Sequence, residues 1–587
     1  MSRGLRFQER MSSKAAGCLA LLSALSIPAA GLAQPSGTVE RLFQDQQLRE
    51  QLDNQRNQQS QPSQTLIEGA PSSQPKQPAE QEDTPKAPPI KGVDLEGARL
   101  FPPSELERLR QEWVGKPATD TALLAIQEVI SDYYEKAKLL AMAGKPSLKS
   151  AGVVFVPVVE ARLGAVTVSN NRSPIRTGWA VATVLTSIGI NREVRLDKLE
   201  SALLKLNDLG GVVAKATLEP GDDPGTTDIV LSLDSRDQVL GEINLNNHVT
   251  EYTGPYQAQA NLGLQGLLGK GEIFSFDGAY SGNIDWYGSR RLSANGSIPL
   301  TPGGLNWVGS YSWSDYRLLQ EFSSDQYLGS FTAGNIGLSQ ILWRRPRANL
   351  SMRLIGEVNL FDDYVTGIQY SDRTNWIGRL TFNGDKEDKL FGGTGLNNAI
   401  LTISVGNLSK NADGENALDE ATMGAAGTWG KVNLIASRYQ MFKKSRWSLE
   451  LFGQAQGAFK NLDSAEKMSL GWPNGVRAYP PGEAAGDSGL AGQFTARYQI
   501  AKNLVLKGFV DGGYIWKWTN WFDLAEGDRG LGLWGPGLGA EWGTRGDVLV
   551  SVDVAFPMGE NTYRADGLDS DGNNPDARVW VSVRKWL

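Results

Sequence analysis

From residue 239 to the C-terminus the chain alternates repeatedly between apolar and polar side chains. Phe274, Phe276, Gly278 and Tyr280 oppose Ser275 and Asp277. Leu350, Met352, Leu354, Gly356 and Val358 oppose Ser351, Arg353, Glu357 and Asn359. Val548, Val550, Val552, Val554 and Phe556 oppose Ser551 and Asp553. A period of two sorts the two sets onto opposite faces of a β-strand. One greasy face and one polar face per strand is what a membrane-spanning barrel requires, with lipid outside and water inside. Sixteen such runs can be counted. Spread over about 350 residues they leave roughly 22 per strand with its turn, enough for spans of ~10 residues plus loops. An even count returns both ends of the barrel to the same side of the membrane.

Composition agrees with a barrel and excludes other classes. No apolar run of about 20 residues follows the N-terminus, so no transmembrane helix is expected. The mean hydropathy of -0.31 is compatible with a barrel, because alternation averages hydropathy away. The 67 glycines, 17 tryptophans and 16 tyrosines suit tight turns and aromatic girdles. A net charge of -7 without a strong basic cluster argues against a nucleic-acid partner. Cys18 and His248 are each the only residue of their kind, which excludes disulfides, multi-His metal sites and most catalytic triads. Gly266-Leu-Leu-Gly-Lys270-Gly271 lacks the glycine spacing of a phosphate loop and reads as a hairpin turn. Asp569, Asp571 and Asn573 look calcium-like, but Asn574 and Trp580 stand where an EF-hand needs Gly and Glu. A hydrated surface loop is the expectation there. No enzyme activity, cofactor or metal is predicted.

One stretch breaks the alternation. Residues 460–489 form a long connection, and Gly471-Trp-Pro-Asn-Gly-Val-Arg477-Ala-Tyr-Pro-Pro-Gly-Glu-Ala-Ala-Gly-Asp487 is too rich in Gly and Pro for a strand or helix. It lies between two clean alternating runs. Trp447, Leu449 and Leu451 oppose Ser448, Glu450 and Gln454 before it; Leu490, Phe494 and Tyr498 oppose Gln493, Thr495 and Arg497 after it. Loops of this length are more often functional than idle.

Val476-Arg477-Ala478-Tyr479 resembles the Val-Arg-Gly-Tyr tip of the lumen-folded sixth loop in the Omp85 superfamily. The flanking Pro-Asn-Gly-Val-Arg and Gly-Glu-Ala-Ala-Gly-Asp strings are most similar to the TpsB branch, the outer-membrane transporters of two-partner secretion. The resemblance implies a partner for Arg477: an acidic residue on strand 13 in a Phe-x-Asp pattern, here Phe509-Val510-Asp511. Alternation from 503 to 514 puts Lys507, Phe509 and Asp511 on the lumen face. On the residues alone each charge is a solvated lumen group; the resemblance pairs them, and an Arg fork on a carboxylate is a bidentate contact. Ala478 stands where the family has Gly. Alanine takes φ > 0 only at a cost, so the tip needs a turn that tolerates a Cβ, or strain.

Upstream, residues 1–33 read as a signal peptide, with Arg3, Arg6, Arg10 and Lys14 ahead of an apolar run and small residues before a cut at Gln34. Residues 34–57 are polar and helix-favouring, a solvated helix on composition and a lumen plug helix by resemblance. Residues 58–89, rich in Gln, Pro and Ser, are a disordered linker. Residues 90–160 and 161–238 resemble two POTRA domains of β-α-α-β-β plan. In the first, Ser104-Glu-Leu-Glu107 is a capping-box pattern, and Ala122, Ile126, Val129, Ile130 and Tyr133 make one helix face. In the second, Leu196, Leu199, Leu203 and Leu206 stripe a helix. Residues 239–587 form the barrel. The fold class is a sixteen-stranded antiparallel transmembrane β-barrel behind two periplasmic α/β POTRA domains and a plug helix.

The resemblance implies a transporter that recognises a secreted TpsA-type exoprotein, of adhesin or haemolysin type, through POTRA strand edges and passes it unfolded through the barrel. On the residues alone those modules could equally be rigid spacers. Outer-membrane lipid and, during biogenesis, the barrel-assembly machinery complete the partners; the aromatic with which the family usually ends is here the penultimate Trp586. An insertase of the same superfamily and a small-solute channel are the alternatives. The first usually carries more POTRA domains; the second needs none.

Overall fold

The alternating runs close on themselves. Sixteen antiparallel strands form one barrel, from Val239–Asn246 through Gln257–Gln265, Ile273–Gly282, Gly288–Pro299, Leu305–Arg317, Leu328–Arg345, Ala348–Val365 and Ile368–Asp388 to Gly393–Lys410, Gly427–Phe442, Trp447–Ala458, Ser488–Ala501, Leu504–Trp516, Gly530–Gly543, Val548–Ala555 and Arg578–Trp586. The first and last strands close the ring over a short seam, Asn246 opposite Ser582 and Glu242 opposite Trp586. This is a computed structural model, and it describes residues 41, 66–68, 87–282, 287–319, 327–523, 525, 527–564 and 567–587. The signal peptide, the plug segment except Arg41, and the linker except 66–68 and 87–89 lie outside the described residues.

Side chains divide between lipid and lumen as the period of two requires. On the thirteenth strand Leu506, Val510 and Tyr514 are exposed to the membrane side, while Lys507, Phe509 and Asp511 are buried inside. Trp534, Leu538 and Trp542 stand outward on the fourteenth strand, and Trp447 packs on Tyr498 at 4.9 Å on the outer wall. No helix among the described residues is long and apolar enough to cross a membrane; the strands do that.

Two α/β modules precede the barrel. In the first, strand Gly92–Glu96 runs parallel to Val153–Glu160, which pairs antiparallel with Ala141–Ala143. Its first helix spans Pro103–Trp113 with Pro103 in the opening turn and no side-chain cap. The expected Ser104 capping box is therefore not formed; proline's fixed φ starts the helix instead. The second helix, Asp120–Lys136, is capped by Thr119 and buries Ala122, Ile126, Ile130 and Tyr134. Val129, expected on that face, is exposed at 42%, because the buried stripe follows spacings of four and leaves position 129 turned out. Tyr134 supplies the end of the stripe, its hydroxyl donating to Glu160 at 2.7 Å.

The second module holds strands Arg162–Asn171, Val212–Pro220 and Thr226–Ser235, with helices Thr177–Ile188 and Leu196–Asn207. The leucine stripe is buried as expected at Leu199, Leu203 and Leu206. The first of these helices had no sequence signal. Its buried face, Ala180, Thr183, Val184 and Ile188, includes a hydroxyl, and Trp179, Val181 and Leu185 lie off that face, so no clear amphipathic period marks it. The outer edge of Val212–Pro220 is occupied: Ile67 and Glu68 pair with Ala216 and Thr217 as a short parallel strand, and Ala216 N–H donates to the Leu66 carbonyl at 2.9 Å.

This module seats on the turns at the base of the barrel. The Gly266–Gly271 segment is the turn between the second and third barrel strands, as its spacing predicts. Its Gly269 carbonyl accepts from Arg176 N–H at 3.0 Å and its Gly271 carbonyl from Gly210 N–H at 2.9 Å. Arg344, in the sixth barrel strand, forks onto Asp208 at 2.6 and 2.8 Å. Both barrel ends and the two modules thus share one side, and the long connection 459–487 starts from the other.

Candidate functional site: the loop folded into the lumen

After the eleventh barrel strand ends at Ala458 the chain cannot continue as a ladder, and it turns into the barrel. Nearly every residue from Asn461 to Asp487 is buried. A two-residue ladder, Met468–Ser469 against Ala485–Gly486, makes a neck, and the segment beyond it forms a lobe. The lobe carries its own apolar core: Leu470, Val476, Ala478 and Tyr479 pack on Ile515 and Leu533 of the barrel wall. Ile515 of the thirteenth strand and Leu531 and Leu533 of the fourteenth are the apolar lumen-facing residues that the lobe covers.

The tip is a hydrogen-bonded turn, with Val476 N–H donating to the Leu470 carbonyl at 2.6 Å and Tyr479 N–H to the Val476 carbonyl at 3.1 Å. It aims Arg477 at the thirteenth strand. Arg477 Nε donates to Asp511 Oδ2 at 2.7 Å, Nη2 to Oδ1 at 2.8 Å, and the Arg477 backbone N–H to Oδ2 at 3.1 Å. Nη2 also reaches Thr495 Oγ1 at 2.9 Å. The guanidinium lies 3.5 Å over the Phe509 ring, which explains the aromatic in Phe509-Val510-Asp511. Trp580 of the last strand donates to the Arg477 carbonyl at 2.7 Å, and Gln493 donates to the Pro473 and Gly475 carbonyls. Both charged groups are desolvated, with side chains 4% and 0% exposed. Such a pair is held by complementarity, since each carboxylate lone pair lost to water must be replaced.

Ala478 keeps φ outside the left-handed region, so the turn tolerates its Cβ without strain. Its methyl is fully buried against Gly535 of the fourteenth strand, where an added Cβ would lie 2.6 Å from it. Tyr479, also buried, donates its hydroxyl to the Met558 carbonyl at 3.3 Å. All six sequence-predicted residues, Val476, Arg477, Ala478, Tyr479, Phe509 and Asp511, meet in one place.

Sequence reasoning missed the remaining anchors. Asp463 accepts from Arg373 Nη1 at 2.7 Å through both oxygens. Glu466 takes Arg379 Nη2 at 2.8 Å and Lys431 Nζ at 2.7 Å. Asp487 binds Lys467 Nζ at 2.7 Å and the N–H groups of Leu462 and Thr519. Glu483 accepts from Asn561 and from Ser570 N–H, each at 2.7 Å. Four acids in one glycine-rich connection were the available signal.

The calcium-like stretch is corrected by the geometry. Asp569 and Asp571 are not hydrated; each is 4% exposed. Arg578 binds Asp571 at 2.6 Å and Asp569 at 2.9 Å, and Arg564 binds Asp569 at 2.7 Å. Arginines occupy the carboxylates, and this connection packs on the lobe through Glu483. Among the described residues no cluster of acidic, His or Cys side chains is placed to hold a metal. His248 meets the edges of Trp472 and Trp580, with ring centres at 5.6 and 5.9 Å.

The model of the haemolysin secretion/activation protein family ShlB/FhaC/HecB matches residues 225–542, more than half of the 587-residue chain. The chain belongs to this family. Its members are outer-membrane transporters of two-partner secretion, and this protein is one, with its barrel in the outer membrane and its POTRA domains on the periplasmic side. The heme/hemopexin transporter protein HuxB of Haemophilus influenzae is 24% identical over 471 residues, 79% of this chain and 82% of HuxB. The outer membrane transporter CdiB of Dickeya dadantii is 21% identical, over 70% of this chain and 72% of CdiB. The solved structure of CdiB from Escherichia coli covers 94% of this chain and 99% of its own at a TM-score of 0.70 and 19% identity, which shows the shared fold.

Proposed function

We propose that this transporter captures a TpsA-type exoprotein, of haemolysin or adhesin type, as an extended strand on its POTRA edges and conducts it unfolded through the barrel. The observation that carries this reading is the edge of Val212–Pro220. It already holds a short parallel strand, Ile67–Glu68, so this edge is competent for β-augmentation, and a client strand would take the place of that segment. Leu66 and Ile67 pack against the second module's core, which adds a place for apolar side chains of a client. HuxB is named for heme/hemopexin transport. No nucleotide motif is visible in the chain, so folding of the client outside the cell is the driving force. The loop held by Arg477 and Asp511 keeps the barrel in its transport-competent arrangement.

The test is secretion of the candidate partner encoded beside this gene, in cells carrying Ala216→Pro. Proline removes the Ala216 N–H that donates to the Leu66 carbonyl. Barrel levels and heat-modifiable mobility are checked in outer membranes. Lost secretion with normal barrel levels supports edge capture; unchanged secretion overturns it. Deleting residues 90–237 separates the transporter from a solute channel, which would keep its flux.

A further inference from the structure

The two rims of the barrel differ in charge. The connection 411–426, on the side from which the lumen loop starts, carries Asp413, Glu415, Asp419 and Glu420 and no lysine or arginine. The tenth strand leads from there to the periplasmic rim, where the turn into the eleventh reads Lys443-Lys444-Ser445-Arg446, all four exposed. The turn between the twelfth and thirteenth strands adds the exposed Lys502. The two turns are neighbours, since Gln499 N–H donates to the Arg446 carbonyl at 2.9 Å. Lys443, Lys444, Arg446 and Lys502 have no carboxylate partner among the described residues. They do not serve the second POTRA domain either. That domain seats on turns from the second to the sixth strand through Arg176, Lys205 and Asp208, and the basic turns lie further round the ring.

The turn holds a lysine where its backbone suits glycine. Ser445 N–H donates to the Phe442 carbonyl at 3.2 Å, closing a four-residue turn with Lys444 third in it. Lys444 has a φ of 57°, the left-handed region that turns give to glycine or asparagine. The adjoining turn repeats the pattern with an apolar residue: Phe391 has a φ of 53° and is 73% exposed. The two touch where Lys443 N–H donates to the Gly392 carbonyl at 3.2 Å. Both turns stand at the edge of the lipid-facing wall. The exposed Trp447 opens the eleventh strand and packs on Tyr498 of the twelfth, and such outward aromatics mark the level of the membrane interface. Arg446 directly precedes Trp447, so the cations begin where the girdle ends, at the depth of lipid headgroups. Lysine and arginine at that depth attract anionic lipids. We propose that Lys443, Lys444, Arg446 and Lys502 form a binding site for an anionic phospholipid of the periplasmic leaflet. Its phosphate lies among the four cations and its acyl chains run along Trp447 and Tyr498. A zwitterionic headgroup brings an ammonium toward the same cations, so the site selects by net headgroup charge.

The experiment is lipid selectivity of the purified full-length protein in phosphatidylcholine bilayers. Phosphatidylglycerol and phosphatidylcholine, each spin-labelled on an acyl chain, are compared by the share of motionally restricted lipid. The unaltered protein should hold phosphatidylglycerol several-fold more than phosphatidylcholine. The preference should weaken in high salt, because exposed charges are screened, and should be lost in Lys443→Gln/Lys444→Gln/Arg446→Gln. The control Lys91→Gln/Lys116→Gln/Lys145→Gln removes three exposed cations of the first module and should keep it. Lys444→Gly suits the turn and takes away one cation, so it folds even where the triple variant does not, and it should lower the preference part-way. Inorganic phosphate should compete no better than chloride at the same ionic strength; specific competition by phosphate would assign the cations to a free anion and overturn the lipid site. Equal restriction of the two lipids by the unaltered protein would overturn it too, as would a preference undiminished in whichever of the two variants folds.

Discussion

Arg477 places three donors on the Asp511 carboxylate: Nε at 2.7 Å, Nη2 at 2.8 Å and its own backbone N–H at 3.1 Å. The pair is buried, so removing one partner strands the other without water. Arg477→Ala should destabilise the lobe by about 3–5 kcal/mol. Secretion of the partner should fall while barrel levels in outer membranes stay normal. The swap Arg477→Asp/Asp511→Arg should restore only part of it, because an arginine at 511 cannot accept the backbone N–H. Quantitative blotting of secreted partner reads both variants, and full secretion by Arg477→Ala would remove the latch from the mechanism.

Ala478 answers to Gly535. A Cβ on Gly535 would sit 2.6 Å from the Ala478 methyl and 2.5 Å from the Phe556 carbonyl oxygen. There is thus room for one methyl group and no more. Ala478→Gly loses that buried methyl and gains backbone freedom, a cost of about 1 kcal/mol, and should keep secretion. Ala478→Val has nowhere to put its branches and should lose it. Gly535→Ala should also lose secretion, and adding Ala478→Gly should rescue it incompletely, since the Phe556 contact remains. Side-by-side secretion of the four variants decides the point.

Much of this was legible because period two reports which face a side chain takes. It placed Asp511, Phe509 and Lys507 inside and Val510 outside, and the motif at 476–479 then named the partner. It could not report position around the ring. Asp463 and Arg373 are 90 residues apart in sequence, and nothing in either strand's alternation says that a loop from the eleventh strand reaches the eighth. Asp569 and Asp571 misled for a related reason. Their spacing is that of a hydrated loop, and the arginine that binds them, Arg578, belongs to the following strand. The helix Thr177–Ile188 escaped because Thr183 sits on its buried face and apolar residues lie off it, which blurs the amphipathic period. The Ser104 box failed because Pro103 had already begun the helix.

The faces themselves can be tested on adjacent residues. Val510 is 49% exposed toward lipid in a strand of thirteen residues, whereas Asp511 is 1% exposed within the lumen. Val510→Arg should cost about 2–4 kcal/mol, the penalty of an arginine near the bilayer midplane. It should lower the temperature at which the folded, fast-migrating band is lost on gels. Thr495→Ala, on the lumen side, removes one hydrogen bond to Arg477 and should cost about 1–3 kcal/mol, with secretion more affected than barrel melting. Equal melting of Val510→Arg and the unaltered protein would mean that this strand does not face lipid at 510.

Gly210 isolates the contact between the second POTRA domain and the barrel. Its φ is ordinary, since it is not among the positive-φ glycines, so alanine imposes no strain on the domain itself. An added Cβ would nevertheless meet Gln265 Cβ and the Glu272 carbonyl oxygen, each at 2.8 Å, both on the barrel side of the joint. Gly210→Ala is therefore a wedge. The Gly210 N–H to Gly271 carbonyl bond should open, and the Asp208–Arg344 fork beside it should loosen. That fork is partly exposed, 36% and 20%, and contributes on the order of 1 kcal/mol or less, too little to pull the domain back. Limited proteolysis of the full-length protein should cut faster between the domain and the first barrel strand, around residues 236–239, while barrel melting stays the same. Asp208→Asn alone should change that rate only slightly. If Gly210→Ala is cleaved no faster than the unaltered chain, the joint is not held by the close approach of these turns, and the orientation of the POTRA domains must be set by the chain connection alone.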